Sequence, residues 1–440
     1  MSETVDGLAA ESSHVREEQK SVRRAVLACS FGQIFEVYDF LIFGFFAAQI
    51  GRAFFPSGDP AISLLSSLAT FGAGFLMRPL GAVVMGYYGD RIGRRRTLAI
   101  TIGLMAVATG ATGLVPSYET IGIAGPILLV CCRMLQGFSM GGEWGGAATF
   151  LAEHAPPRSR GLLSSLQSAS GGIAALLAIL TAAALNSWLE PADLDGWGWR
   201  LPFVFGCVLG PIALYIRNRV TETPVFAKLA ASKVEPRMPL RAAIQSHGHT
   251  MLVAVALIVL IITLQYMFVI FLPSYATDTL KIDQRLALYT TGAGVLLYVL
   301  LTPLVGAFSD RIGRRWPLFL CAASSLVLAY PLFWLLTSYP TATSLLVVQI
   351  VANMIQPLAT GVITATLAEM FPTTVRFTAL SVSYAIGTTV FGGFAPFAAT
   401  YLVRVTGDPV SPAYYLMAAA LISGVAVGFL RIAAARTRLA

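Results

Sequence analysis

Charge is scarce in this chain. Only 12% of its 440 residues are Asp, Glu, Lys or Arg, where an ordinary soluble domain carries about a quarter. So little charge excludes a conventional water-soluble globule. Histidine is also rare: the four residues stand at 14, 154, 247 and 249, outside the predicted apolar spans. Cys29, Cys131, Cys132, Cys207 and Cys321 each fall inside an apolar run, so buried thiols are expected rather than an extracellular disulfide framework. Residues 1 to 20 are polar and mixed in charge, without the apolar core of a cleavable secretion signal. The net charge is +8, but the bases lie in short segments between hydrophobic runs, where topology signals belong. No nucleic-acid partner is expected.

Apolar sequence fills the space that charge leaves. Hydrophobic residues make up 56% of the chain, and runs of about 20 recur, each long enough to cross a bilayer core of about 30 Å. Twelve helices are predicted, near 21–50, 62–87, 97–115, 122–150, 161–187 and 200–217, then 250–275, 287–308, 316–337, 343–368, 377–403 and 412–434. They form an N-terminal six-helix bundle over 21–217 and a C-terminal one over 250–434, joined by a polar linker over 218–249. Short tails, 1–20 and 435–440, complete the chain. Arginines collect on one set of helix ends and acids such as Asp59, Glu119, Glu190 and Asp408 on the other. By the positive-inside rule both termini and the linker are expected in the cytoplasm.

The halves repeat each other. Residues 86–95 read GYYGDRIGRR and residues 306–315 read GAFSDRIGRR; Asp90 and Asp310 stand 220 positions apart, half of 440. A second echo pairs LAEHAPPRSRG (151–161) with LAEMFPTTVRF (367–377), setting Glu153 against Glu369 at a separation of 216. Two echoes at nearly one spacing point to a tandem repeat of six helices, one of the known transporter plans. Each decapeptide is expected to be the hairpin between the second and third helix of its half. There Asp90, Arg91, Arg94, Asp310, Arg311, Arg314, Glu153 and Glu369 can act as a cytoplasmic gate. A plain topology signal is the rival reading.

Charges inside spans are expensive and need a partner or a task. Glu36, Asp39, Arg78, Arg133 and Glu143 are the deep ones, all in the first half. At about 1.5 Å per residue, Asp39 falls roughly 22 Å from one end of its helix and Arg133 about 10 Å from the opposite face. They share a depth, so an Asp39–Arg133 pair between the first and fourth helices is plausible. Glu36 or Asp39 is expected to carry a coupling proton, with Arg133 tuning it; a static pair that only joins two helices is the alternative. Arg78 lies about 18 Å in from Asp90, among the small residues of FGAGFLMRPLGA. A guanidinium grips a carboxylate through two parallel bonds, which makes Arg78 the first candidate for an acid substrate. Pairing with Glu36 or Glu143 is its rival. Gly137, Gly141 and Gly145 make a small-residue stripe for helix packing. GFSMG in the same segment matches a nucleophile elbow formally, but no strand precedes it and no histidine is near, so a hydrolase is rejected.

In the second half Gln349, Asn353 and Gln356 share one helical face, with Gln265, Tyr266, Tyr298 and Tyr384 as further polar positions. They can donate to an anion opposite Arg78 or serve as interhelical polar contacts. The candidate substrate-binding set is Arg78, Arg133, Gln136, Glu143, Gln167, Tyr266, Gln349, Asn353 and Tyr384. HGH at 247–249 offers too few ligands for a metal, and neither metal nor cofactor is expected.

The loop G-x-x-x-D-R-x-G-R-R and the segment RMLQGFSMGGEWGG (133–146) resemble the major facilitator superfamily. FEVYDF, GFLMRPLGA, GGEWGGA, GWGWRLPF and TETPVF are similar to its metabolite:proton symporter family, over roughly 21 to 434. TGDPVSPAYYLM near the last helix looks most like the citrate and tricarballylate branch. One departure is Val37, where many members place Trp. The chain ends soon after its last predicted helix, without the coiled-coil tail of osmolyte-sensing members. The resemblance implies an all-α polytopic membrane protein of twelve transmembrane helices in two six-helix repeats around a central cavity. It implies a monomeric, proton-coupled importer of a tri- or dicarboxylate in the bacterial inner membrane. A zwitterionic osmolyte or a monocarboxylate such as shikimate is the alternative cargo.

Overall fold

The computed structural model describes residues 24, 26–92, 94–156, 158–218, 239–372 and 376–430, apart from the side chains at 89–94, 153, 154, 209, 216–218, 239, 241 and 242. Among the described residues, eleven apolar helices are long enough to cross a membrane. They are α1 (Val26–Phe45), α2 (Pro60–Tyr88), α3 (Arg95–Leu114), α4 (Ala124–Ala152), α5 (Arg160–Trp188), α6 (Gly198–Tyr215), α7 (Ala243–Asp278), α8 (Gln284–Ile312), α9 (Arg315–Ser338), α10 (Ala342–Met370) and α11 (Arg376–Thr406). A twelfth, α12 (Pro412–Gly428), is apolar but described over 17 residues only. The exposed surface is hydrophobic, with Val107, Leu114, Val327 and Val425 all more than half exposed, the inverse of a soluble protein.

Local chemistry sets the helix starts. Asp59 accepts the Ala61 amide ahead of Pro60 at the first position of α2. Asp283 accepts the amides of Arg285 and Leu286 at α8, and Thr341 with Ser344 forms a capping box at α10. Each satisfies amides that the first turn leaves without a partner. Gly313 closes α8 with φ +87°, a conformation L side chains avoid.

Two expectations need correction. Helix is already established at Pro239–Tyr266 and bends at His247 (φ −133°), so residues 239–249 belong to a helix rather than to the linker. His247 and His249 therefore lie inside the first turns of α7. Its apolar face, with Ala243 and Met251 buried, continues past the short polar HGH sequence. Thiol burial holds for Cys29 and Cys321, whereas Cys132 is half-buried and Cys131 and Cys207 are exposed on apolar spans, where a small soft hydrophobe is equally at home. The tails 1–20 and 435–440 and linker residues 219–238 lie outside the described residues.

The halves meet along α5–α8, α5–α10, α2–α11 and α4–α11. Glycines of α4 allow close approach within and between the halves: a Cβ at Gly137 would strike the Gly74 carbonyl and one at Gly141 the Arg78 carbonyl, both on α2, and one at Gly145 the Ser381 side chain of α11. The small-residue stripe of α4 thus packs on α2 and, one turn further, on α11. Prolines shape the same region. Pro79 has no amide for the Phe75 carbonyl four residues earlier, and the Thr389 hydroxyl of α11 fills that place at 2.6 Å. The ladder is interrupted at Met77, and Arg78 opens the next helical segment. Wide π turns at Met267–Phe271 and Thr388–Gly393 lie just before Pro273 and Pro396, whose missing amides loosen the ladder in the same way.

Candidate functional site: a central cavity between the halves

A cavity lies between the two halves at the level of Arg78. The N-terminal half contributes Glu36, Phe40, Arg78, Met140, Trp144 and Gln167, and the C-terminal half Gln265, Tyr266, Tyr298, Thr360 and Tyr384. The centre of a water molecule can occupy about 60 Å³ of it. Trp144 and Tyr384 stack face to face across the halves, ring centres 3.6 Å apart.

Arg78 is buried, at 4% exposure. Its Nη2 donates to the Met140 sulfur at 3.2 Å, and its guanidinium lies 4.0 Å from the Phe75 ring centre and 5.0 Å from that of Phe40. Among the described residues it makes no ion pair within 4 Å, and its Nε has no hydrogen-bond partner. Phe ring faces attract a cation but weakly compared with an anion. Arg78 is therefore a buried donor fork, aromatic on its flanks and open toward the cavity.

Asp39 and Arg133 are brought together as the sequence suggests: Nη1 of Arg133 lies 3.0 Å from Oδ2 of Asp39, and both side chains are fully buried. Arg133 also donates to Gln136, whose amide donates to Thr109 at 3.1 Å. This network does not line the central cavity. Phe40 covers it, with the Arg133 guanidinium 4.8 Å from its ring centre. Arg133 and Gln136 are thus not cavity-wall residues here, because the Asp39 carboxylate holds them behind the Phe40 ring.

Gln349 donates to the Phe268 carbonyl and to Thr291, and Asn353 to the Gln349 carbonyl. Their amides are used up between α7, α8 and α10, and neither residue lines the cavity. Glu143 also lies off the central wall; its Oε2 accepts from Thr101 at 2.8 Å. Gln167, Tyr266 and Tyr384 do line it. Sequence reasoning passed over Gln33, Trp144 and Thr360 as cavity residues. Gln33 was findable, standing three residues before Glu36 on the same helical face.

The repeated hairpins sit at one end of this cavity. Asp310 of α8 accepts the Gly161 amide at 2.8 Å and the Leu162 amide at 3.1 Å, capping α5 of the other half. Arg314 binds Asp310 at 2.8 Å and Glu369 at 3.3 Å, and Arg160 approaches Glu369 at 3.9 Å. Arg311 is exposed and makes no ion pair among the described residues. The side chains of Asp90, Arg91, Arg94 and Glu153 lie outside the described set. At the other end of the bundle Arg404 meets Asp59 at 3.2 Å, and Arg285 reaches the Asn186 carbonyl. Contacts between the halves thus lie toward both ends of the cavity.

A side chain at Gly161 would collide with Asp310, Arg314 and the Gly306 carbonyl. Gly161→Val is expected to break the Asp310 cap, worth about 1.5–3 kcal/mol for bonds to a charged acceptor, and to slow transport at least tenfold in initial-rate assays. Wild-type rates would show that the cap does not govern the transport cycle.

A bundle of apolar spans in two halves around a small cavity, with a guanidinium on its wall that has no ion-pair partner among the described residues, defines a polytopic membrane carrier. Residues 25–243 match the family described as Sugar (and other) transporter, and residues 255–439 match the Major Facilitator Superfamily. The chain is 37% identical over 411 residues to the citrate-proton symporter of Salmonella typhi, covering 93% of this chain and 94% of that one. It is 36% identical over 413 residues to the proline/betaine transporter of Escherichia coli K12 (91% and 82% covered), and 35% identical over 410 to the shikimate transporter of that strain (91% and 92%). The solved proton:xylose symporter XylE shares the fold with a TM-score of 0.75 at 16% identity, over 94% of this chain and 97% of that one. The chain belongs to the major facilitator superfamily and is a transporter, not an enzyme.

Proposed function

We propose that this chain is a proton-coupled symporter of a small organic acid, a tri- or dicarboxylate such as citrate or tricarballylate, working by alternating access. The observation that carries this reading is Arg78, a buried guanidinium on the cavity wall with no acidic partner within ion-pair distance among the described residues. Burying an uncompensated charge is costly, and an anionic cargo offsets that cost when it binds. Asp39, Glu36 and Arg133 handle the proton: burial and a neighbouring guanidinium act on a carboxyl's proton affinity in opposite senses, so a small displacement of either partner changes its occupancy. The relatives that carry citrate with protons support this cargo. In this reading the protein acts as a monomer in a bacterial inner membrane, with the arginine-rich hairpins, the linker and both termini cytoplasmic.

One observation favours a second cargo. Glu36 shares the cavity with the Trp144–Tyr384 stack, and an acid beside aromatic faces suits an ammonium group, as in the zwitterions of the proline/betaine relative. A thermal-shift panel of citrate, tricarballylate, shikimate and glycine betaine on the purified protein separates the two. Stabilisation rises with ligand concentration over Kd; the anion reading expects the largest shifts from citrate or tricarballylate, and a response to glycine betaine alone overturns it.

A further inference from the structure

Glu36 belongs to two cavities at once. Besides the central one, it lines a small pocket between α1, α3 and α4, where the other polar walls are Thr101, Ser139 and Glu143. Met140 is common to both spaces, and Phe35 and Ile102 add apolar surface to the smaller one. The centre of a water molecule can occupy about 10 Å³ there, room for one water, and such a site needs two to four polar partners. Glu36 and Glu143 are both about 95% buried. Thr101 holds Glu143 in place, its hydroxyl 2.8 Å from Oε2, while Ser139 donates to the Thr101 carbonyl.

We propose that Glu36 and Glu143 form a two-carboxylate proton relay through a single water in this chamber, with Glu143 as the proton's resting place away from the substrate. The inference rests on the proton-coupled reading above and deepens it. Among the described residues, the charged and titratable groups that share the central cavity with Glu36 are Arg78, Tyr266, Tyr298 and Tyr384; on the chamber side there is Glu143, and Asp39 follows one turn along α1. A substrate carboxylate on Arg78 and an ionised Glu36 would be like charges in one cavity, which disfavours their coexistence. Glu36 resolves this by taking a proton. An O–H bond of Glu143 breaks as its proton passes to the water, and the water gives one of its own to a Glu36 oxygen. One proton changes carboxylates and nothing else is consumed. Opening of the cavity on the other face then lets Glu36 release it with the substrate.

The test uses the full-length protein in proteoliposomes with radiolabelled citrate, shikimate and glycine betaine. Glu143→Gln keeps the shape and an acceptor for Thr101, so it is expected to retain substrate binding by thermal shift and substrate exchange at equal pH. Accumulation driven by an imposed pH gradient is expected to fall at least tenfold, and Glu143→Asp to restore part of it. A substrate-induced infrared band of a protonated carboxyl is expected in wild type and absent from Glu143→Gln. Wild-type accumulation by Glu143→Gln overturns the relay alone. Loss of binding and exchange together also overturns it, because Glu143 would then serve structure or substrate. Wild type that exchanges substrate but never responds to the pH gradient overturns the symport reading and the relay with it.

Discussion

Arg78→Gln is expected to weaken carboxylate binding by roughly a hundredfold while leaving the protein as stable as before or more so. The first part follows from the loss of a two-pronged, charge-assisted grip, about 3 kcal/mol when both bonds go. The second follows from burial without an ion-pair partner among the described residues: removing a desolvated cation relieves a cost. Flanking Phe75 and Phe40 rings return only part of that cost. Titration calorimetry with citrate and a thermal melt without ligand measure the two halves of the prediction. A melt that drops by many degrees with binding unchanged would make Arg78 a structural residue and remove the main support for an anionic cargo.

The opposite behaviour is expected of Arg133. Arg133→Leu strands Asp39 in a fully buried site, and breaking a buried pair from one side costs about 3–5 kcal/mol. Gln136 loses a partner as well. Folded yield in detergent should therefore fall sharply. Neutralising both sides, Asp39→Asn with Arg133→Gln, should recover the fold, since no charge is left unmatched. The double variant should still exchange substrate at equal pH but fail to accumulate it against a gradient. If it accumulates substrate normally, Asp39 and Arg133 are a static strut between α1 and α4, and coupling lies with Glu36 and Glu143.

The positions that chain-local reasoning reached are those where the bilayer dictates the answer. Glu36, Asp39, Arg78, Arg133 and Glu143 stood out because charge within an apolar span is rare and expensive, and all five are buried. The Asp39–Arg133 contact followed from equal depth on two spans, since helical rise converts sequence position into height. Gln349 and Asn353 were misplaced for a related reason: helical spacing says that they share a face, not which neighbour that face meets. The HGH segment misled by composition, a short polar sequence inside a longer apolar helix.

Composition, the period of apolar runs and the doubled DRIGRR hairpin determined by themselves that this is a membrane protein of two six-helix halves, because hydrocarbon admits only helices with internally paired backbones. They also marked which charges must matter. Only the tertiary structure decided that Phe40 parts Arg133 from the cavity while Arg78 stays on its wall, and that Thr389 of the far half holds the carbonyl freed by Pro79. It alone placed Glu36 on two cavities and Glu143 on one. Rotation about each helix axis is set by packing against neighbours distant in sequence, and no local pattern encodes which neighbour will be there.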